Sequence, residues 1–412
     1  MNRDGLFRKF GIELEYMLVR DDTLEVAPIA DRILEQVAGR ITNEVERGIM
    51  AWSNELALHV IEIKNSDPVP ALPMLAEKLQ QEVEELGRVA ASQGAILLPT
   101  AMHPWMDPHS ETHLWPHGNR DIYHTYNRIF NCQGHGWSNV QSTHLNLGFS
   151  TDEGFGRLHT AIRVLLPILP AIAASSPAAD GALTGWLDTR LRYYRANQER
   201  IPFITGHVIP EPVFSEADYE REIYQRLRHD IAPLDPEGIL EAEWLNSRGA
   251  IARFDRNAIE IRVLDIQECP LADVSLAVLI CAVLKGLCSE RWSGLAAQKA
   301  AETGAMAEIF AGTIRDGEKT VLDNRDYLAL FGREGTRGMT VAELWRELAT
   351  DCMPELAAAG HGIQQSVETM LAQGPLARRI IRALGVKPDR ERFREVYREL
   401  SQCLAQGRLF LA

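Results

Sequence analysis

Cysteine is scarce and scattered in this chain: six among 412 residues (Cys132, Cys269, Cys281, Cys288, Cys352 and Cys403), with no CxxC pair. That spacing argues against a zinc-ribbon site or a disulfide framework, so reduced thiols in a cytoplasm are expected. Basic residues are also in the minority. The 43 Lys and Arg stand against 57 Asp and Glu, and a formal net charge of −14 argues against a nucleic-acid binder, whose footprint is a basic face. A nucleotide substrate stays open, because acids hold phosphates through metal ions. Residues 161–175 read as the most apolar stretch, but it is short and Arg163, Pro167 and Pro170 interrupt it, so no membrane span is expected. The opening MNRDGLFRKF lacks the apolar core of a signal peptide. No GxxxxGK[ST] loop occurs, which argues against P-loop phosphate binding, and no Ser–His–Asp or Cys–His arrangement stands out. What remains is an ordinary globular composition, 46% hydrophobic and 24% charged.

Within it, strand and helix signals mix up to about residue 268. Residues 10–20 (FGIELEYMLVR) alternate and are rich in β-formers; residues 56–64 and 140–149 read similarly, and 95–98 reads as a short buried strand. Helices are expected over 72–93, 119–130, 153–174 with a proline-disturbed end, and 215–231 with Ser215 as its cap. Residues 250–266 read as one strand region, and beyond 271 the pattern is almost wholly helical. The expected class is α+β: one catalytic domain over 1–412, with a strand-rich core to 268 and a helical tail from 269 packed on it.

Acids recur at strand spacing. In GIELEY, Glu13 and Glu15 share one face of a strand, while Ile12, Leu14 and Tyr16 take the other. Singly, such a pair reads first as the wet face of a half-buried sheet. Two acids side by side repel unless solvated, protonated or bridged by a cation. Glu62 interrupts the core-like run VIEIK, and Glu55 lies seven residues earlier. An odd separation places them on opposite faces of a straight strand, so a shared site needs Glu55 before the strand or a bulge between them. In AIEIRVLD, Glu260 and Arg262 share a face, which reads either as a local ion pair or as an anion-binding Arg beside a metal-binding Glu. In STHLNLG, His144 and Asn146 share a face, and beside several acids His144 becomes a candidate ligand for Mg²⁺ or Mn²⁺. Several strands with polar residues on one face describe a concave sheet lined with carboxylates, for which metal-bridged phosphate is the common reason.

The motifs GIELEYMLV, NELALHVIEIKN, TAMHPW, STHLNLGF, ASSPAADGALTGWLDTR and AIEIRVLDIQECP occur in one order over residues 10–268. In that order the chain resembles the glutamate–cysteine ligase superfamily, most closely its second family, the bacterial carboxylate–amine ligases. The resemblance implies a glutamine-synthetase-like fold, a curved and mostly antiparallel sheet forming an open funnel with helices outside. It implies ATP with two or three Mg²⁺ ions, held by Glu13, Glu15, Glu55, Glu62, His144 and Glu260, with Arg262 near the transferred phosphate. It also implies that Asn146 and Arg190 line the amino-acid or phosphate pocket. His103 reads as lining the funnel or, equally, as a structural histidine, and Arg253 as reaching phosphate or as an ordinary surface arginine. A homodimer is a family-level expectation only. The segment HSETHLWPH (109–117) matches no family motif and reads as a substrate loop or a surface loop.

The implied reaction makes an acyl phosphate from a carboxylate, glutamate's by resemblance, and passes it to an amine such as cysteine. Two rivals stand beside it: a guanidino-kinase-like phosphotransferase of the same fold, and a non-catalytic relative that binds a nucleotide or amino acid. The partners expected are small molecules alone, with no nucleic acid and no membrane.

Overall fold

The computed structural model describes residues 5–336 and 338–411. Its centre is an eight-stranded sheet of β1 (Phe10–Arg20), β2 (Glu44–Arg47), β3 (Met50–Asn54), β4 (Val60–Asn65), β5 (Ala95–Leu98) and β6 (Ser142–Gly148), joined later by β9 (Ala250–Arg253) and β10 (Ala258–Asp265). The spatial order is β2-β3-β4-β1-β6-β10-β9, with β5 paired to the far end of β1. Every pairing is antiparallel. Two small two-stranded sheets, β7 (Ala178–Ala179) with β8 (Ala182–Leu183) and β11 (Val321–Leu322) with β12 (Met339–Thr340), lie outside it.

Period-2 alternation decides which face is which. Ile12, Leu14, Ile61, Ile63, Leu145, Leu147, Ile259 and Ile261 are buried in one core cluster that also takes in the helices Pro73–Ser92, Asp152–Leu165 and Pro270–Cys288. The last of these, not 161–175, is the most apolar long segment. It has a mean hydropathy of 2.1, and 89% of its most apolar window is buried inside the protein, which makes it a core helix. It packs on Pro73–Ser92, Asp152–Leu165 and His361–Gln373, so the helical tail and the sheet share one hydrophobic cluster.

Three expectations shift. Residues 250–266 form a hairpin, not one strand, because Phe254–Arg256 makes a 3₁₀ turn closed by Asn257 in the left-handed region (φ 51°). Strand β4 starts at Val60, leaving Glu55 in the connection before it, the first of the two arrangements parity allowed. The 215–231 helix is present with Ser215 capping Asp218 N, but Glu220–Tyr224 is a π-turn.

Candidate active site

The face opposite the apolar one carries the acids, and the ladder sets them side by side. Glu15 stands directly across from Glu62, Glu13 across from His144 and Lys64, and Glu260 across from Asn146. Directly opposed residues on one face lie close enough for their side chains to meet. Beyond Glu15 the character of this face of β1 changes: Met17 and Val19 are buried against Leu376, Phe393 and Tyr397 of the tail helices. The acidic basin therefore has an apolar wall at that end.

His144 sits at the centre. Its Nδ1 is 3.1 Å from a Glu13 oxygen and 3.9 Å from Glu260, and its Nε2 is 3.7 Å from Glu15 and 3.0 Å from Ser142 Oγ. Burial disfavours the charged ring, but the bond to Glu13 and the charges of Glu15 and Glu260 outweigh it and raise the pKa to about 9. Burial also works against ionised Glu13, yet His144, Lys64 and Arg256 bring it down to about 2. Glu62 goes the other way, pushed up to about 7 by burial and Glu13 despite Lys64 at 3.0 Å and a 2.7 Å bond from Ser53 Oγ. Glu55 is raised well above the ordinary range by burial, Glu15 and Glu62. Glu15 is held by Ser142, whose N and Oγ donate to it at 2.7 and 3.1 Å.

Two triads are compact enough to share a cation: Glu13, Glu62 and His144, and Glu15, Glu55 and Glu62, each with one ligand atom per residue inside 4.8 Å of the others. The donor set is oxygen-rich with one imidazole, which suits a hard divalent ion. Crowded carboxylates that take up protons to relieve repulsion are the groups a cation would neutralise, so these residues fit Mg²⁺.

Arg262 approaches from β10. Its Nε is 3.1 Å from Glu260, and the β10–β6 register slips by one residue between Ile261 and Leu264. That bulge sets Arg262 and Val263 together against His144. Arg253, on neighbouring β9, reaches Glu260 at 3.6 Å and Asp255 at 3.2 Å. Arg190 is buried, donates to Asp265 at 2.5 Å, and has two N–H groups 3.4 Å from the Arg262 carbonyl, which braces the bulge from below. Asn146 donates to Glu13 Oε1 at 3.1 Å. The expectation for His103 is corrected: its ring is fully buried away from the basin, with Nε2 2.7 Å from the Leu24 carbonyl and Nδ1 accepting from Trp105 N. The 109–117 segment lines neither of the two cavities that flank the acids. Its residues His113 and Trp115 pair through backbone bonds with Leu58 and Leu56, and buried Trp115 bonds Asn43, so the segment backs the connection that carries Glu55.

A cavity of about 490 Å³ opens over Glu15, Glu55, His144, Glu260 and Arg262. Its outer wall, which the sequence reading missed, includes Tyr123, Tyr126, Trp137, Tyr194, Glu243 and Trp244. A second cavity of about 550 Å³ lies past Glu13, lined by Lys9, Asn146, Arg256 and Asn257 among others. Glu13 and Asn146 line the second cavity while Glu15 and His144 line the first, so the two cavities flank one line of acids.

The sequence profile of "Glutamate-cysteine ligase family 2 (GCS2)" matches residues 9–399. This chain belongs to that family. As a member it is an ATP-dependent carboxylate–amine ligase, with the mixed α/β fold and antiparallel sheet of that group. An uncharacterized protein of Archaeoglobus fulgidus is 40% identical over 65% of this chain and 72% of its own length. A putative glutamate–cysteine ligase 2 of Salinispora tropica is 28% identical over 67% of this chain and 65% of its own length, so the chain spans just under two thirds of that relative. Among solved structures, the glutamate–cysteine ligase of Francisella tularensis in complex with AMP superposes with a TM-score of 0.65 at 14% identity, covering 96% of this chain and 89% of that one. A bifunctional glutathione synthetase of Pasteurella multocida gives 0.58 at 13% identity over 96% of this chain and 52% of that one. These two likenesses show a shared fold alone.

Proposed function

We propose that this family-2 ligase activates an amino-acid carboxylate, glutamate's by family, as an acyl phosphate and joins it to an amine, with Mg²⁺ or Mn²⁺ required. The carrying observation is the pair of acid triads that share Glu62, with Arg262 alongside. Glu13, Glu15, Glu55, Glu62, His144 and Glu260 hold the ions, which supply charge neutralisation for the nucleotide's phosphates when bound. Arg262, with Arg253 beside it, covers the phosphoryl group in transfer, where a planar fork meets phosphate oxygens bidentately. Arg190 acts through its brace on the Arg262 backbone. ATP takes the second cavity, where Lys9 and Arg256 offer positive charge, and the donor and acceptor take the first. The AMP bound by the Francisella enzyme supports a nucleotide site on this fold. We further read the sheet and the helical tail as one catalytic unit, since one core cluster joins them. Six free, buried cysteines suit a reducing cytoplasm.

The carboxylate is a poor electrophile, and phosphorylation converts its oxygen into part of a good leaving group. The chain's own task is to align donor, nucleotide and amine and to neutralise charge as it moves. The direct test measures ADP release with ATP, Mg²⁺ and glutamate, trapping the activated carboxylate with hydroxylamine. Glu260→Gln is expected to keep its thermal midpoint while losing about 10²–10³-fold in turnover. Full activity in that variant would remove the metal assignment.

A further inference from the structure

The apolar helix Pro270–Cys288 carries a single acid, Asp273, in its first turn, and that acid is fully buried. A carboxyl in such a place is costly unless hydrogen bonds recover what is lost with water. Burial pushes Asp273 up to about 8, and its Oδ2 is buried without a hydrogen-bond partner. Its Oδ1 accepts from Thr143 Oγ1 at 2.5 Å and from Gln267 N at 3.1 Å.

Both partners belong to the strands that carry the centre of the basin. Thr143 lies in β6 between Ser142 and His144, and alternation puts its side chain on the face opposite theirs. Gln267 follows directly on the end of β10. In the ladder Thr143 stands across from Leu264, where pairing resumes beyond the bulge, and across from Leu14 of β1. On the basin side Ser142 donates to Glu15, and His144 meets Glu13, Glu15 and Glu260.

A bulge is where a ladder holds its register least firmly, because two residues face one and the extra residue is unpaired. Arg262 and Val263 face His144 in that interval. One carboxyl oxygen that accepts from both Thr143 and Gln267 pins the far end of the interval from the core side. Resting on the ligase reading above, we propose that Asp273, acting through Thr143, is a positioning residue for the metal basin. It holds β6 so that His144 stands level with Glu13 and Glu260, and so that the bulge presents Arg262 beside them. A buried bond with a structural role alone would set stability; a positioning bond also sets how well the ligands converge on an ion.

The test reads Mn²⁺ affinity by calorimetry on the full chain without nucleotide. Thermal midpoints are measured beside it, with turnover on ATP, Mg²⁺, glutamate and hydroxylamine. Thr143→Val removes the hydroxyl at nearly constant shape, in a residue type that strands accept. Mn²⁺ affinity is expected to fall about tenfold and kcat by about as much, with KM for glutamate little changed. Asp273→Ala breaks the same bond from the helix side and is expected to match it, and the double variant to be no worse than either single one. Thr143→Ser and Asp273→Asn keep the bond and should hold Mn²⁺ affinity close to the parent's. A lower thermal midpoint in Thr143→Val with unchanged Mn²⁺ affinity overturns the proposal, and so does a Thr143→Ser as weak as Thr143→Val. A parent that binds no Mn²⁺ overturns the metal assignment and this proposal with it.

Discussion

Glu62 shows how one residue sets the balance between stability and chemistry at this site. It stands opposite Glu15 and takes up a proton at about 7 because burial and Glu13 disfavour its charge. A carboxyl raised in the folded state binds more protons there than when unfolded, so stability falls as pH rises from the unfolded value toward 7. In chelator, Glu62→Gln should therefore be more stable than the parent above pH 7, by about 1–3 kcal/mol, and indistinguishable near pH 4. Urea midpoints at the two pH values measure this; equal midpoints at pH 8 would show that Glu15 and Glu62 do not strain the sheet. The same variant loses both triads, so its turnover should vanish while its fold tightens. Arg262→Lys belongs to the same scale. A point charge keeps the attraction to Glu260 but not the two-pronged geometry, and kcat should drop about 10²-fold with KM for the donor little altered. Steady-state kinetics with glutamate varied would reveal any milder loss.

At the scale of elements, the bulge in β10 decides where Arg262 points. Arg262 N donates to the Gly249 carbonyl at 2.9 Å, and a Cβ built on Gly249 would meet Val263 Cγ1 at 2.7 Å and Val208 Cγ1 at 2.9 Å. Gly249→Ala should cost about 1–3 kcal/mol through overpacking and lower kcat more than KM, because the bulge moves with Val263. A kcat equal to the parent's would separate the bulge from catalysis. Alternation made β1, β4 and β6 legible, and the odd spacing of Glu55 from Glu62 left two arrangements open, of which the one with Glu55 before the strand is found. The β9–β10 turn was not legible, since Phe254–Arg256 holds no Gly or Pro and only the left-handed Asn257 marks it. The short polar strand β2 (EVER) drew no strand expectation, since it holds a single apolar residue. The aromatic wall was hidden for another reason. Tyr123 and Tyr126 lie in the amphipathic helix Arg120–Phe130, where a ring facing a cavity and a ring facing a core have the same spacing. His103 misled because a histidine beside a recognisable motif reads the same whether its ring faces substrate or is spent on a backbone carbonyl.

For the whole molecule, the joint between sheet and tail lies just past β10. Arg379, from the tail helix Leu376–Leu384, is fully buried against Glu268 and also donates to the Phe410 carbonyl at 2.7 Å, while Phe410 N reaches Glu268 at 3.3 Å. Arg379→Met leaves a buried carboxylate without its partner and should cost about 3–5 kcal/mol, read as a fall in the urea midpoint. The acid cluster lies elsewhere, so residual folded protein should keep its kcat; a selective loss of kcat would tie the tail directly to the basin. The order of strands has a consequence for synthesis of the protein. Strand β6 lies between β1 and β10, whose pairing residues are separated by some 245 positions in the chain, as from Glu13 to Glu260. Until Ala258–Asp265 has left the ribosome, β6 is a raw edge with unpaired amides and carbonyls, and His144 has neither Glu260 nor Arg262 beside it. A nascent chain is thus sticky before it is competent, and no fragment that stops short of β10 can hold the phosphate-handling apparatus.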